Sequence, residues 1–283
     1  MRNGGFSGAP NRQWQVTGVT PTSITDHGLN YKCYDITSSL NIVVVGPQGI
    51  YNAAELADME LMMEFMILAG GGGGGSSNNY QAAGGGGAPG GIKFGVAALT
   101  IGAYPIVVGA AGAGGTTGFN NGSNGGDSSA FGITASGGGG GGWSSSGGAG
   151  GVGSNGGNGG GGGNDSAGGT STNVSTPAQG SAIAGQQVNG IGLGGMSACL
   201  AITSYATINS SIYQFLPLGL VGVNSAISGT MTTYARPGFA LSTDTTDRAA
   251  NTGDGGRGSW VASGNVNPGK AGGSGRIILR HRV

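Results

Sequence analysis

Phe65-Met-Ile-Leu-Ala-Gly-Gly-Gly-Gly-Gly-Gly75 joins an apolar run directly to six glycines. Upstream, Leu61, Met63, Phe65 and Ile67 fall on one face of an extended chain, and Met62, Glu64, Met66 and Leu68 on the other. That pattern predicts a strand over about 61–68 that is buried on much of both faces. A flexible linker is flanked by charge or serine and not by such a strand. The splice recurs: Phe131-Gly-Ile-Thr-Ala135 leads into a second run of six glycines at 137–142, and 20 of the 33 positions from Gly137 to Gly169 are glycine.

Three readings compete for the glycine runs. Collagen needs glycine at every third position and abundant proline; nine prolines and unbroken runs exclude it. A linker suits the composition of 137–169 alone, but loops of that length are uncommon in compact domains. The third reading is packed polyglycine-II helices with backbone angles of about −75° and +145°. Such a helix makes no internal hydrogen bonds, so its amides pair with neighbouring helices. Ordering glycine costs about 1–2 kcal/mol per residue, and a hydrogen bond returns about 1 kcal/mol net. A bundle of this kind therefore needs a β-sheet scaffold gripping the ends of each run.

Outside the runs the chain reads as short strands. Gln13-Trp-Gln-Val-Thr17 alternates, and Leu40-Asn-Ile-Val-Val-Val45 is β-branched and stopped by Gly46-Pro47. Ile92-Lys-Phe94, Ala98-Leu-Thr-Ile101 and Pro105-Ile-Val-Val108 are expected as separate strands, with a turn at Gly102-Ala103. Arg276-Ile-Ile-Leu-Arg280 is a closing strand. One helix is expected, from Ala53 to about Met62, with Asn52 as cap and Glu55 completing a capping box; the same stretch also suits the opening of the following strand. Residues 196–241 are apolar and β-branched, interrupted by Pro217. The resulting division is 1–60, an N-terminal attachment region, and 61–283, a glycine-rich body.

The chain has 69 glycines in 283 residues, 8% charged residues and zero formal net charge. Ordinary domains carry about 7% glycine and about 25% charge. The charge balance argues against nucleic acid, which needs clustered cations. No apolar run reaches the length of a membrane span, and Met1-Arg-Asn-Gly-Gly has no signal-peptide core. Two cysteines, Cys33 and Cys199, make no disulfide framework, although one bridge between them is open.

Signals for chemistry are thin. Gly264-Asn-Val-Asn-Pro-Gly-Lys270 imitates a phosphate loop, but Ala271 stands where Ser or Thr is needed. His27 and His281 have no nearby Cys or carboxylate cluster, so neither metal nor cofactor is expected. Asp244, Asp247 and Asp254 read better as turn formers than as a Ca²⁺ site. Asn121-Gly-Ser is a chance glycosylation triplet. In a charge-poor chain, contact falls to scattered aromatics: Tyr80, Phe119, Trp143, Tyr205, Tyr213, Tyr234 and Trp260. Trp143 suits either stacking on a sugar or packing on glycine backbone, with packing favoured; Trp260 divides the same way.

The run at 65–75, then Ala98-Leu-Thr-Ile-Gly102, Ile106-Val-Val-Gly109, Ser128-Ser-Ala-Phe-Gly132 and Gly272-Gly-Ser-Gly-Arg-Ile-Ile-Leu-Arg280, resemble the glycine-rich domains of bacteriophage tail-fibre and adhesin proteins. The resemblance covers about 61–283. It implies an all-β fold, a jelly-roll-like β-sandwich carrying polyglycine-II helices, in a non-enzymatic virion protein at the particle's exterior. It also implies loops contacting a host surface glycan or outer-membrane protein, with other virion proteins and its own copies, as a homotrimer, for partners. The alternative is a capsid-decorating or tail structural protein in which 196–241 packs against other chains.

Overall fold

The computed structural model describes residues 13–47, 53–57, 59–78, 83–145, 149–163, 166–171, 186–188, 191–193, 222–238, 246–259 and 267–283. In chain order the first strands are β1 (Gln15–Thr17), β2 (Thr22–Asp26), β3 (Leu29–Ile36) and β4 (Leu40–Val45). After a short helix α1 (Ala53–Ala57) come β5 (Leu61–Leu68), β6 (Ile92–Leu99), β7 (Gly102–Ile106), β8 (Ser128–Ala130) and β9 (Ile133–Ala135). The remainder are β10 (Gln186–Val188), β11 (Ile191–Leu193), β12 (Val223–Ser225), β13 (Thr232–Tyr234) and β14 (Arg276–Arg282). The regular secondary structure among the described residues is thus nearly all β-strand, as the sequence predicts.

Every named pairing is antiparallel. Five strands form one sheet in the order β2-β3-β14-β5-β6, and three form another in the order β1-β4-β7. One core cluster joins Val16, Ile42, Val44 and Ile106 of the smaller sheet to Tyr34, Ile36, Met63, Phe65, Ile67, Ile277 and Leu279 of the larger. The opposite face of the five-stranded sheet carries Cys33, Met66, Leu68, Ile92 and Ile278 and is covered by Tyr234 and Ala235, with Ile24, Val223 and Ile227 at its margin. Burial on both faces explains why β5 is apolar at nearly every position.

Two strands differ from expectation for visible reasons. Ile92–Leu99 is one strand, paired with β5 from Leu68↔Ile92 to Leu61↔Leu99. The glycine that interrupts its pattern, Gly95, lies over Phe65: a Cβ there would come 2.6 Å from the ring's Cζ. The turn expected at Gly102-Ala103 falls earlier, and both residues belong to β7, which pairs with β4 from Val44↔Gly102 to Leu40↔Ile106. Pro105 is tolerated because β7 is an edge strand. The helix is shorter than its composition predicts, ending at Ala57 before β5 opens at Leu61. Asn52 lies outside the described residues.

Residues 15–45 contribute β1 to β4 to both large sheets, and β3 pairs with the closing strand β14 over six positions. At that seam Tyr34 and His281 stack with ring centroids 5.9 Å apart, and Tyr34 Oη lies 3.1 Å from His281 Nε2. His281 Nδ1 is 3.1 Å from the Arg282 carbonyl, a pure acceptor, so Nδ1 carries the proton and Nε2 accepts from the tyrosine. Burial pushes the tyrosine up to about 12 and holds the histidine below its ordinary value. On the other face, Arg280 pairs with Glu64 and Asp26 at 2.7 and 2.9 Å and lies over Tyr31, while Arg276 pairs with Asp35. Cys33 is a buried free thiol; Cys199 lies outside the described residues.

Candidate functional site

Leaving β5, residues 69–77 make no bonds among themselves; their amides pair outward in a strict three-residue rhythm. The N–H groups of Ala69, Gly72 and Gly75 donate to Gly91, Ala88 and Gly85. Those of Gly70, Gly73 and Ser76 donate to Gly126, Ser123 and Asn120, and those of Gly71, Gly74 and Ser77 to Gly273, Lys270 and Asn267. These nine bonds span 2.8–3.1 Å. The partner number falls as the donor number rises, so these three neighbours run antiparallel. The carbonyls serve three further neighbours, which run parallel: Gly71 and Gly74 accept from Gly112 and Gly115, Gly70 and Gly73 from Gly138 and Gly141, Gly72 and Gly75 from Gly256 and Ser259. Residues 69–77 therefore sit among six other backbone segments, and the cost of burying unpaired amides is removed.

Such packing admits only hydrogen at the α-carbon. A Cβ on any residue from Gly70 to Gly75 would meet a neighbouring carbonyl oxygen at 1.9–2.3 Å. At the rim the demand relaxes: in 109–115, Gly109, Gly112 and Gly115 are buried while Ala110, Ala111 and Ala113 are exposed. Each segment is gripped by the sheets. The central one follows β5, 83–91 leads into β6, 136–144 follows β9 and 267–275 leads into β14.

A second ladder is made by side chains. Asn121, Asn124 and Asp127, three residues apart, use Oδ1 to accept the N–H groups of Trp143, Gly140 and Gly137 at 2.9, 2.9 and 2.8 Å. The same two asparagines donate from Nδ2 to the carbonyls of Val152 and Asn155 at 3.0 and 2.9 Å. Their carboxamides thus stand in for a missing neighbour between 136–144 and 151–157. Asn158 repeats the device, donating to the Pro89 carbonyl at 3.0 Å. The signal for this role is an Asn/Asp spacing of three, which the glycosylation triplet beginning at Asn121 masks.

At the end remote from the sheets Ser76 pairs with Asn120 across a chain reversal. Between Gly115 and Asn120 the reversal is described throughout. Gly118 takes φ +110°, which a side chain rarely permits. Buried Ser76 donates from Oγ to the Gly118 carbonyl at 2.5 Å, and Asn120 Nδ2 donates to the Thr117 carbonyl at 3.2 Å. This turn presents Phe119, 58% exposed, edge-on to Trp143 with centroids 4.8 Å apart. The indole rests on Gly151, where a Cβ would be 2.5 Å from Trp143 Cδ1, and Val152 beside it is 57% exposed.

Of the contact residues expected from sequence, the structure brings Phe119 and Trp143 together. Tyr234 is corrected: it is 1% exposed, packed on the five-stranded sheet with the Arg276 guanidinium 5.8 Å from its ring centroid. Tyr80, Tyr205, Tyr213 and Trp260 lie outside the described residues. Asp254 Oδ1 accepts the Arg236 N–H and Asp247 Oδ1 the Ala271 N–H, 18 and 24 residues away, so these two carboxylates tie separate segments together and do not act as the local turn formers expected; Asp244 lies outside the described residues. Burial pushes the Asp254 carboxyl up. Among the described residues no three His, Cys, Asp or Glu groups converge as metal ligands, and no helix is long and apolar enough to cross a membrane.

The sequence model of the glycine-rich domain matches residues 55–282, most of the chain. The chain belongs to the glycine-rich domain family. The family's span opens inside α1, closes at the last residue of β14 and takes in the whole lattice. A search of curated proteins finds no match.

Proposed function

We propose that this glycine-rich domain protein is a non-enzymatic virion component, a bacteriophage tail-fibre or adhesin protein that contacts the host cell surface. On this reading the lattice is a bundle of polyglycine-II helices gripped by a jelly-roll-like β-sandwich. The observation that carries the proposal is the run of nine consecutive N–H groups, 69–77, paired in three directions. A backbone so paired is rigid without charge or bulky side chains, and it presents the reversal at 115–120 to solvent, as a binding tip requires. Attachment to other virion proteins falls to the 1–60 region, which supplies β1 and β2, edge strands among the described residues. Self-association as a trimer is the expected state of a fibre.

The test uses the full-length chain, labelled, on cells of the bacterium that the source phage infects. Saturable adhesion that intact virions compete away, with antibodies against the chain decorating tail tips, is the expected result. Antibody on the capsid shell, or no adhesion, overturns it.

A second reading, a capsid-decorating or tail structural role, is favoured by one observation. Met62, Phe94 and Val96 are 58, 39 and 55% exposed at the β5–β6 edge of the larger sheet, and an exposed apolar edge strand is ordinarily covered. Met62→Lys with Val96→Lys separates the two: lost particle stability supports packing, and lost adhesion with intact particles supports the tip.

A further inference from the structure

We infer that the Phe119–Trp143 corner is a stacking platform for an uncharged saccharide ring. The inference rests on the adhesive reading and names the class of ligand the tip takes.

A single exposed apolar side chain is ordinary; this one is held. The turn that carries Phe119 is fixed by the Ser76 hydroxyl and the Asn120 carboxamide, at 2.5 and 3.2 Å. Gly118, at φ +110°, sets the direction in which the chain returns. Trp143 is fixed by its backbone N–H on Asn121, 2.9 Å, and by its seat on Gly151. The two rings meet edge to face at 73°, the favoured geometry for an aromatic pair. Threonine or serine at 119 would serve the turn as well and leave less apolar surface in water. A rigid aromatic at a chain reversal instead offers binding area whose ordering cost is already met.

The surroundings select the ligand. Residues 94–126 and 128–164 contain no charged side chain, so nothing in these segments neutralises an anionic sugar, a phosphate or an acidic peptide. Exposed Thr116 and Thr117 carry hydroxyls on the same turn. A flat apolar face bordered by neutral donors and acceptors matches a neutral sugar, whose ring has one C–H face and a hydroxyl edge.

The experiment measures the full-length chain on an immobilised panel of neutral hexose and N-acetylhexosamine oligosaccharides, with uronic-acid oligosaccharides alongside. Wild type, Phe119→Ala and Phe119→Tyr are compared, and each variant is also scored for adhesion to host cells. Thermal unfolding confirms that each variant folds; Phe119 is exposed, and its loss leaves the lattice intact. The expected result is binding to at least one neutral glycan, weakened about tenfold by Phe119→Ala, restored by Phe119→Tyr and insensitive to salt. Binding restricted to uronic acids, no glycan binding, or binding indifferent to Phe119→Ala overturns the inference. If host adhesion persists undiminished in Phe119→Ala, the saccharide site falls and the adhesive reading stands; if wild type does not adhere, the adhesive reading falls first.

Discussion

The central segment 69–78 and the rim segment 109–115 are both glycine-rich and bonded the same way, and they have opposite tolerance. Both hold their glycines against neighbouring carbonyls, and both bond every third residue to the same partner. The central segment is enclosed on six sides, so each of its three repeating directions faces backbone. In the rim segment Gly109, Gly112 and Gly115 turn inward and Ala110, Ala111 and Ala113 are exposed, while Gly114 again meets backbone, at the Gly269 carbonyl. Glycine is thus a requirement of enclosure and not of the extended conformation as such. Its entropic cost is about 1 kcal/mol per residue against alanine, and in these two segments it is incurred only where a methyl cannot fit.

Gly73→Ala should break the contrast most sharply. Its Cβ would fall 1.9 Å from the Ala113 oxygen and 2.3 Å from that residue's carbonyl carbon. Backbone on both sides cannot yield, and a loss of more than about 4 kcal/mol is expected, seen as failure to fold or a collapsed urea midpoint. Next comes Asn124→Ala, which strips the Gly140 N–H and the Asn155 carbonyl of their partner; about 1–3 kcal/mol should be lost in urea unfolding. Asn124→Asp keeps the acceptor and turns the donor into a carboxylate facing a carbonyl. It should cost less at low pH than at neutral pH, a difference Asn124→Ala will not show. At Gly95→Ala the clash is with a ring, which can move, so about 1–3 kcal/mol is expected, much of it recovered in a double variant with Phe65→Leu. Ala111→Gly, at an exposed rim position, should lose only about 0.5–1 kcal/mol through the unfolded state. An effect there as large as at Gly73 would remove the distinction between centre and rim.

The sheets that grip the lattice carry a titration of their own. Burial, and secondarily Lys32, depress the His281 value, against the Arg282 carbonyl that raises it. The unfolded chain therefore binds the proton first as pH falls. Stability is fully present above the ordinary histidine value of about 6.5 and is lost as pH falls through the lowered folded value. Asp254 works in the opposite sense at lower pH, because burial raises its folded value and protonation relieves the buried charge. Urea midpoints measured from pH 8 to 5 should fall for wild type and stay flatter for His281→Gln.

How much was legible varies by region. The bounds of β4 and β5 follow from β-branching, alternation and the Gly-Pro or poly-Gly stop after each, and they match the observed strands. β2 and β3 carried no comparable signal: β3 mixes Asn, Lys and Asp into its pattern because those residues face solvent and Arg276. Gly95 read as a break because a sequence cannot show that Phe65 lies beneath it. Tyr234 read as a surface aromatic because its cover, the outer face of the five-stranded sheet, comes from strands far away in the chain.

The sequence by itself determined that this chain is β-rich and nearly uncharged, and that its glycine runs are joined directly to strands. Those facts follow from side-chain pattern, which is local. Only the tertiary structure decided which glycines are enclosed, that Asn121, Asn124 and Asp127 replace a missing neighbour, and that Phe119 meets Trp143. A glycine run carries no side chain to specify its partner. Its register is set by the strands at its ends, and those are assembled across the whole chain.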